Sequence, residues 1–341
     1  MTALNRSELA AQLMAMAEAA GLTLDDLSAV GKQTAGETPT VGAFLPSVEA
    51  ATAEGARLTY RPYLVKLVEK LGDTPLSKVK TSDLQALALA VQGNAVRRSN
   101  SRNGVSAREN FVAAARAFFA LAVGDGYLDA NPAEKVRKPR RQPSGRRSFT
   151  DDELVDLYRV TSNGGDDPIL DTLLLRFHLE TGARRGGALA LRRRDLDARR
   201  QCVRLREKNN TERWQPVSKT LLDALLDHAD ARGASEPEDA VFRRRPRRGE
   251  AAGTPISRRR YNTLVARWGR ELPWVRELGV SIHWCRHHAT SAIERIAGYA
   301  VARAFAGHGE GDEVTTTYIK AHAHEVARAV AIYTGEPHPL A

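Results

Sequence analysis

Cysteine is almost absent from the 341 residues: Cys202 and Cys285 stand far apart with no CxxC spacing, a usage that fits a reducing cytoplasm rather than a disulfide framework. No stretch approaches the roughly 18 uninterrupted apolar residues needed to cross a bilayer. The opening residues hold no apolar signal-peptide core, so the chain is expected to be soluble and cytoplasmic, with no membrane partner. Internal repeats are missing, and low complexity is confined to an arginine-rich stretch over residues 243–248, the kind of loop that is usually plain solvated charge.

Positive charge, by contrast, is abundant. Lys and Arg number 51 against 41 Asp and Glu, a formal net charge of +10, so a polyanion is attracted over the whole surface. Nucleic acid is the first candidate, because a phosphate backbone releases counterions to each Lys or Arg that neutralises it. A soluble enzyme that happens to be basic fits the composition as well.

At about 150 residues per domain the length predicts two domains and a short appendage. Residues 1–40 read as that appendage, with one candidate helix (Leu9, Leu13 and Met16 apolar) and a Gly- and Thr-containing connection. Residues 41–134 read as a small helical domain: Leu64, Leu67, Val68 and Leu71 follow helical spacing up to Gly72, Ser82 with Gln85 resembles a capping box, and Phe111, Ala115, Phe118 and Ala122 make another apolar stripe. Arg97, Arg98, Arg102, Arg108 and Arg116 are candidates for a DNA-facing edge, though a solvated helix face explains them nearly as well. Residues 135–147 carry seven basic side chains, Arg140, Arg141 and Arg146 among them, broken by Pro139, Pro143 and Gly145. This is an expected linker, one able to ride along phosphates. Residues 148–341 form the second domain, opened by a capping box at Thr150 and Glu153 and containing a hairpin from Cys202–Leu205 and Trp214–Val217 around Asn209-Asn210. The fold class expected is mainly α with a small antiparallel β-sheet (α+β).

Four segments of the second domain offer phosphate-binding or reactive groups, and none is strong alone. In Thr181-Gly182-Ala183-Arg184 a helix ends at a glycine and Arg184 emerges from the turn, able to fork two donors onto two phosphate oxygens; an ordinary surface arginine is the bland reading. Lys208 stands at the hairpin tip, where an ammonium with a lowered pKa can protonate a leaving oxygen, although turn lysines are usually inert. In His283-Trp284-Cys285-Arg286-His287-His288, His283 and Arg286 are three apart and share one helix face. The same cluster admits a zinc reading, but no second cluster with ligand spacing accompanies it. Gly307-His308 is followed by Tyr318, a residue that is packing by default and a nucleophile only in company.

As an ordered set, a T-G-x-R turn, a hairpin Lys, H-x-x-R, G-H and a late Tyr, these segments resemble the tyrosine recombinases of the phage-integrase type, over residues 41–335. The resemblance implies a helical core-binding domain followed by a catalytic domain. It makes Arg184 and Arg286 the phosphate-binding arginines, Lys208 the general acid, His283 and His308 the supporting histidines and Tyr318 the nucleophile, with His287 matching a further common histidine. Two departures stand out: Gly187 occupies a place where the family often has an acidic residue, and H-W-C-R replaces the commoner H-D-L-R.

What the resemblance implies is site-specific cutting and rejoining of double-stranded DNA through a 3′-phosphotyrosyl enzyme. No cofactor or metal is needed, because the covalent bond stores the broken linkage. A homotetramer on DNA is implied too, with a C-terminal helix around Val326, Ala329, Val330 and Tyr333 docking between protomers, and residence on the nucleoid. Three rival readings are a DNA-binding protein of the same fold with an unused site, a type IB topoisomerase-like enzyme, and a zinc hydrolase built on the His283 cluster.

Overall fold

The computed structural model describes residues 14–21, 23, 38–96, 102–139, 146–206, 212–307 and 322–341. The chain divides between Gln142 and Pro143 into two units, each with its own core.

Among the described residues, the core of the first unit is built by α1 (Val41–Ala51), α2 (Glu54–Leu71), α3 (Thr81–Gly93) and α4 (Val105–Gly124). Thr40 opens α1 by accepting from the Ala43 N–H (3.2 Å), and Gly72 closes α2 by donating to Val68 O (2.8 Å). The apolar stripes read from the sequence meet in one core of Phe44, Leu67, Leu84, Phe111 and Phe118. One cap differs from expectation. The α3 helix starts at Thr81, ahead of Ser82, and its cap is Asp83, whose carboxylate accepts from the Lys80 N–H at 3.1 Å. Gln85 instead accepts from the Arg137 N–H (2.9 Å). Of the expected appendage helix, residues 14–19 are helical and the remainder lies outside the described residues.

The second unit surrounds α6 (Pro168–Thr181) with α5 (Asp151–Asn163), α7 (Arg185–Ala190), α8 (Lys219–Ala231), α9 (Arg258–Glu271), α10 (Pro273–Glu277), α11 (His283–Ala306) and α12 (Ala323–Thr334). A three-stranded antiparallel sheet, β1 (Leu196–Asp197), β2 (Cys202–Arg206) and β3 (Glu212–Pro216), lies in sequence order. The fold is thus mainly α with a small antiparallel sheet. The capping box at α5 is present, with Thr150 Oγ1 and Glu153 exchanging bonds with each other's backbone N–H groups (3.2 and 2.8 Å).

Buried charge pins α6 in place. Asp171 accepts from Arg260 (2.6 Å) and Arg267 (3.0 Å) of α9, and Asp167 pairs in two-pronged fashion with Arg232 at the end of α8 (2.8 and 2.9 Å). Such pairs cost desolvation and return it only when both partners are fully bonded, so they fix geometry more than they add stability.

The long helix α11 does not run straight. Gly298 sits at φ 82°, ψ 174°, a conformation open essentially to glycine alone. In a straight helix residues 286 and 306 would lie about 30 Å apart at 1.5 Å per residue, yet the Arg286 guanidinium bonds Ala306 O. The bend at Gly298 makes that contact possible.

The last helix, α12, buries Val326, Ala329 and Val330 against Ala289, Ile293, Val301 and Phe305 of its own unit. Tyr333 donates to Leu179 O (3.0 Å). The face expected to dock between protomers is therefore covered within the chain.

Candidate active site

The site begins at the C-terminus of α6. Thr181 Oγ1 donates to Phe177 O (2.5 Å) and accepts from the Ala183 N–H (3.2 Å), while Gly182 at φ +59° donates to His178 O (3.1 Å). This is the left-handed helix stop that favours glycine. Here glycine is also required by space, since a Cβ at Gly182 would stand 2.7 Å from the Phe305 ring. His178 secures the turn from below: its Nδ1 lies 2.9 Å from Ala183 O and its Nε2 2.9 Å from Tyr261 Oη. A carbonyl only accepts, so in the neutral ring Nδ1 carries the proton and Nε2 accepts from the phenol. Arg184 leaves this turn with extended backbone (φ −73°, ψ 152°) as the residue before α7, half-buried.

Opposite stands the first turn of α11. Arg286, 4 % exposed, donates to Gly182 O (2.7 Å) and to Ala306 O. One helical turn earlier, His283 faces the same way, and its ring meets that of His287 edge-on at 4.9 Å. Arg146 Nη1 approaches His287 Nε2 at 3.4 Å. Burial, reinforced by His287 and the charges of Arg146, Arg286 and Arg184, pushes the His283 pKa down to about 4. His287 is lowered by burial and then by Arg146 and Arg286. Burial and the surrounding cations thus favour the neutral form of the half-buried His283 imidazole at neutral pH.

The intervening residues of H-W-C-R turn inward. Trp284 stacks on Phe149 (5.9 Å between centroids), and Cys285 is fully buried with its thiol pushed up to about 12 by burial. A protonated, buried thiol is a poor metal ligand. Among the described residues no group of three or more His, Cys, Asp or Glu side chains is placed to hold a metal ion. Gly187, the other departure, is buried in α7.

Of the residues singled out from the sequence, the structure brings together Arg184, His283 and Arg286, with His287 beside them. Lys208, His308 and Tyr318 lie outside the described residues, as do Arg97, Arg98, Arg140 and Arg141. Arg102 opens a short 3-10 turn, Arg102–Gly104. Arg108 donates to Arg137 O (3.0 Å) and Gln92 Oε1 (3.4 Å), and Arg116 likewise bonds Ala133 O, Glu134 O and Val136 O, so both help to hold residues 133–137 on the first unit. Three residues at the site carry no signal in the motif: His178, Arg146 and Arg213. Arg213 had one available sign. Strand alternation pairs it with Leu205, a fully buried position, and a charged residue at an inward position marks either an error of register or a buried partner.

Residues 147–325 match the phage integrase family. The chain is 31 % identical over 301 residues to the tyrosine recombinase XerD of Mycobacterium leprae (strain TN), covering 80 % of this chain and 88 % of that one. The chain belongs to the phage integrase family. It is a tyrosine recombinase, an enzyme of DNA strand cleavage and religation. The tyrosine recombinase XerC of Roseiflexus sp. (strain RS-1) is 25 % identical over 227 residues, covering 64 % of this recombinase and 68 % of its own length. Two solved structures share the fold. A lambda integrase tetramer bound to a Holliday junction matches with a TM-score of 0.61 at 15 % identity, over 92 % of this recombinase and 91 % of that chain. The Tn1549 transposon integrase in complex with circular intermediate DNA matches with a TM-score of 0.60 at 18 % identity, over 85 % and 98 %.

Proposed function

We propose that this recombinase breaks and rejoins DNA at specific sites with Tyr318 as nucleophile and Arg184, Lys208, His283, Arg286 and His308 as its catalytic set. The observation that carries the proposal is the convergence of Arg184, His283 and Arg286 from two separate elements, the α6–α7 turn and the start of α11, onto one spot with a shared electrostatic field.

A phosphodiester resists attack because its oxygens are negative and its alkoxide leaves poorly, so the site must neutralise charge and protonate the leaving oxygen. Arg184, Arg286 and His308 hold the non-bridging oxygens. The Tyr318 Oη–phosphorus bond forms as the phosphorus–O5′ bond breaks; the phenol proton passes to His283 and Lys208 supplies a proton to the 5′ oxygen. His283 is neutral in the DNA-free protein, as a base must be. An arriving phosphate adds negative charge beside the ring and raises its basicity at the moment the phenol gives up its proton. The 3′-phosphotyrosyl bond conserves the energy of the broken linkage, so a new 5′-hydroxyl attacks it without nucleotide hydrolysis.

On this reading residues 41–134 are a core-binding domain, and residues 135–147 a basic linker lying along the duplex. Arg97, Arg98, Arg102, Arg140 and Arg141 contribute to DNA contact, whereas Arg108 is taken up within the first unit by Arg137 O and Gln92 Oε1. The working assembly is a homotetramer on DNA at the nucleoid; the likeness to a lambda integrase that forms a tetramer on a Holliday junction supports this.

The test is covalent trapping on a nicked substrate whose short 5′-hydroxyl fragment diffuses away after cleavage. The wild-type protein is expected to accumulate a denaturant-resistant adduct to the 3′ side. Arg184→Ala and Arg286→Ala should lower its rate by about 100-fold or more, the scale of losing one preorganised charge contact. Unchanged adduct formation in both variants would overturn the assignment.

A further inference from the structure

We propose that Arg213 is a positioning residue for the strand-cleavage reaction: with Arg286 it clamps the C-terminus of α6 to the C-terminus of α11, and so fixes the two phosphate-binding arginines relative to each other. This rests on the roles given above to Arg184 and Arg286.

Two helix C-termini meet at this point. α6 stops at Thr181 and α11 at Ala306, and each end presents carbonyls that have no donor within its own helix together with the negative pole of a helix dipole. Brought together unaided, the two ends would repel, and their buried carbonyls would go unsatisfied. Arginines from β3 and from the first turn of α11 itself answer both problems in an interleaved pattern. Arg213 of β3 donates from Nε to Phe305 O (3.2 Å) and from Nη2 to Thr181 O (3.3 Å). Arg286 donates to the carbonyls one residue further along each chain segment, Gly182 O (2.7 Å) and Ala306 O. Each guanidinium therefore bridges the same two helix ends, and all four carbonyls are bonded.

Space is as tight as the bonding. A Cβ on Gly307 would lie 2.9 Å from Arg213 Cδ and 3.0 Å from its Nε, and a Cβ on Gly182 would lie 2.7 Å from Phe305 Cε1. Arg213 is thus packed between the backbone of one helix end and the glycine that closes the other. Arg184 follows Gly182 by two residues, so any slack in the α6 end moves Arg184 directly. Arg286 and Arg213 differ in one respect: Arg286 also belongs to the phosphate-binding pair, whereas both clamp bonds of Arg213 go to backbone oxygen.

Arg213→Ala is therefore expected to bind DNA within about threefold of wild type, since its Nε and Nη2 are taken up by backbone carbonyls. Single-turnover cleavage should fall by about 100-fold, the usual effect of displacing catalytic groups by an ångström. A merely structural role would lower yield and melting temperature but would not distinguish between substrates. The distinguishing readout is a scissile methylphosphonate, which lacks one negative charge and so depends less on the placement of cations. On it the Arg213→Ala defect should shrink to about tenfold or less, in parallel with Arg184→Ala and Arg286→Ala. Arg213→Lys, which keeps the charge but reaches one carbonyl at a time, should give an intermediate defect with the same substrate dependence, and it decides the matter if Arg213→Ala does not fold. Equal defects on both linkages, or cleavage at wild-type rate, would overturn the clamp. Failure of Arg184→Ala and Arg286→Ala to improve on the methylphosphonate would instead overturn the charge-neutralising roles on which the clamp depends.

Discussion

At the scale of single residues the proposed general base is His283. Burial and four surrounding cationic or ionisable groups hold its pKa at about 4, so the ring is neutral throughout the physiological range. Cleavage measured at subsaturating DNA reports the free protein's ionisations; the rate is expected to stay level from neutral pH down to about 5.5, and a loss of activity centred at an ordinary histidine's pKa near 6.5 would contradict the assignment. His283→Ala should cost about 10² to 10⁴-fold in cleavage, the span typical of a lost general base. The same shift carries a stability consequence. His228, deep between α6 and α8, is likewise held at about 4, mainly by burial and then by Arg232. In the unfolded chain both rings take up protons below about 6.5, while the folded protein refuses them, so stability is full above that pH and declines as pH falls from there toward about 4. Urea midpoints measured across that window should fall with pH, and a His228→Gln variant should lose part of the slope.

At the scale of elements the catalytic geometry depends on how helices stop and bend. Gly182→Ala forces a side chain into left-handed backbone and against the Phe305 ring, for an expected loss of about 1–3 kcal/mol, read from denaturant unfolding, together with slower cleavage as Arg184 shifts. Gly298→Ala should act on the second half of α11 alone, weakening the reach of Ala306 O to Arg286. Thr150→Ala, at the α5 capping box, should cost about 1 kcal/mol of stability, read from denaturant unfolding. Much of this level is legible in the sequence. Helix spacing with glycine stops marks α2 and the end of α6, and two alternating runs close in sequence mark the antiparallel β2–β3 pairing, because those signals are local; the Asn209-Asn210 pair between them lies outside the described residues. The cap of α3 is less well marked, since Thr81, Ser82 and Asp83 all suit a helix start and only the fold selects Asp83. Arg213 falls just ahead of the alternating run that begins at Trp214. Its partners Thr181 and Phe305 are remote in sequence, and no local pattern encodes a carbonyl that a distant helix end leaves without a donor. The bend at Gly298 is hidden for the same reason, as an interior glycine has many uses and its φ is set by what Arg286 must reach.

For the molecule as a whole, the +10 formal charge sets the terms on which DNA is met. Binding should weaken steeply with salt, by about 10³ to 10⁵-fold between 50 and 200 mM if six to ten phosphates are neutralised. A shallow dependence in a binding titration would mean that the basic surface is not the DNA-binding surface. The catalytic unit is legible in the ordered motifs alone, because phosphate chemistry at one point demands arginines, a histidine and a nucleophile from separate segments. That α12 covers its own unit is not legible in this way, since an amphipathic face is equally suited to a neighbour. Everything turns on the nucleophile, and the chain offers eight tyrosines. Tyr261 is buried and Tyr158 and Tyr333 are half-buried, all with their phenols pushed up by burial, whereas Tyr299 is 58 % exposed with its hydroxyl beside Arg303. The decisive measurement is mass-spectrometric mapping of the peptide covalently joined to a trapped 3′-phosphate: the expected linkage is to Tyr318, with no adduct from Tyr318→Phe, and a linkage to Tyr299 or any other residue would contradict it.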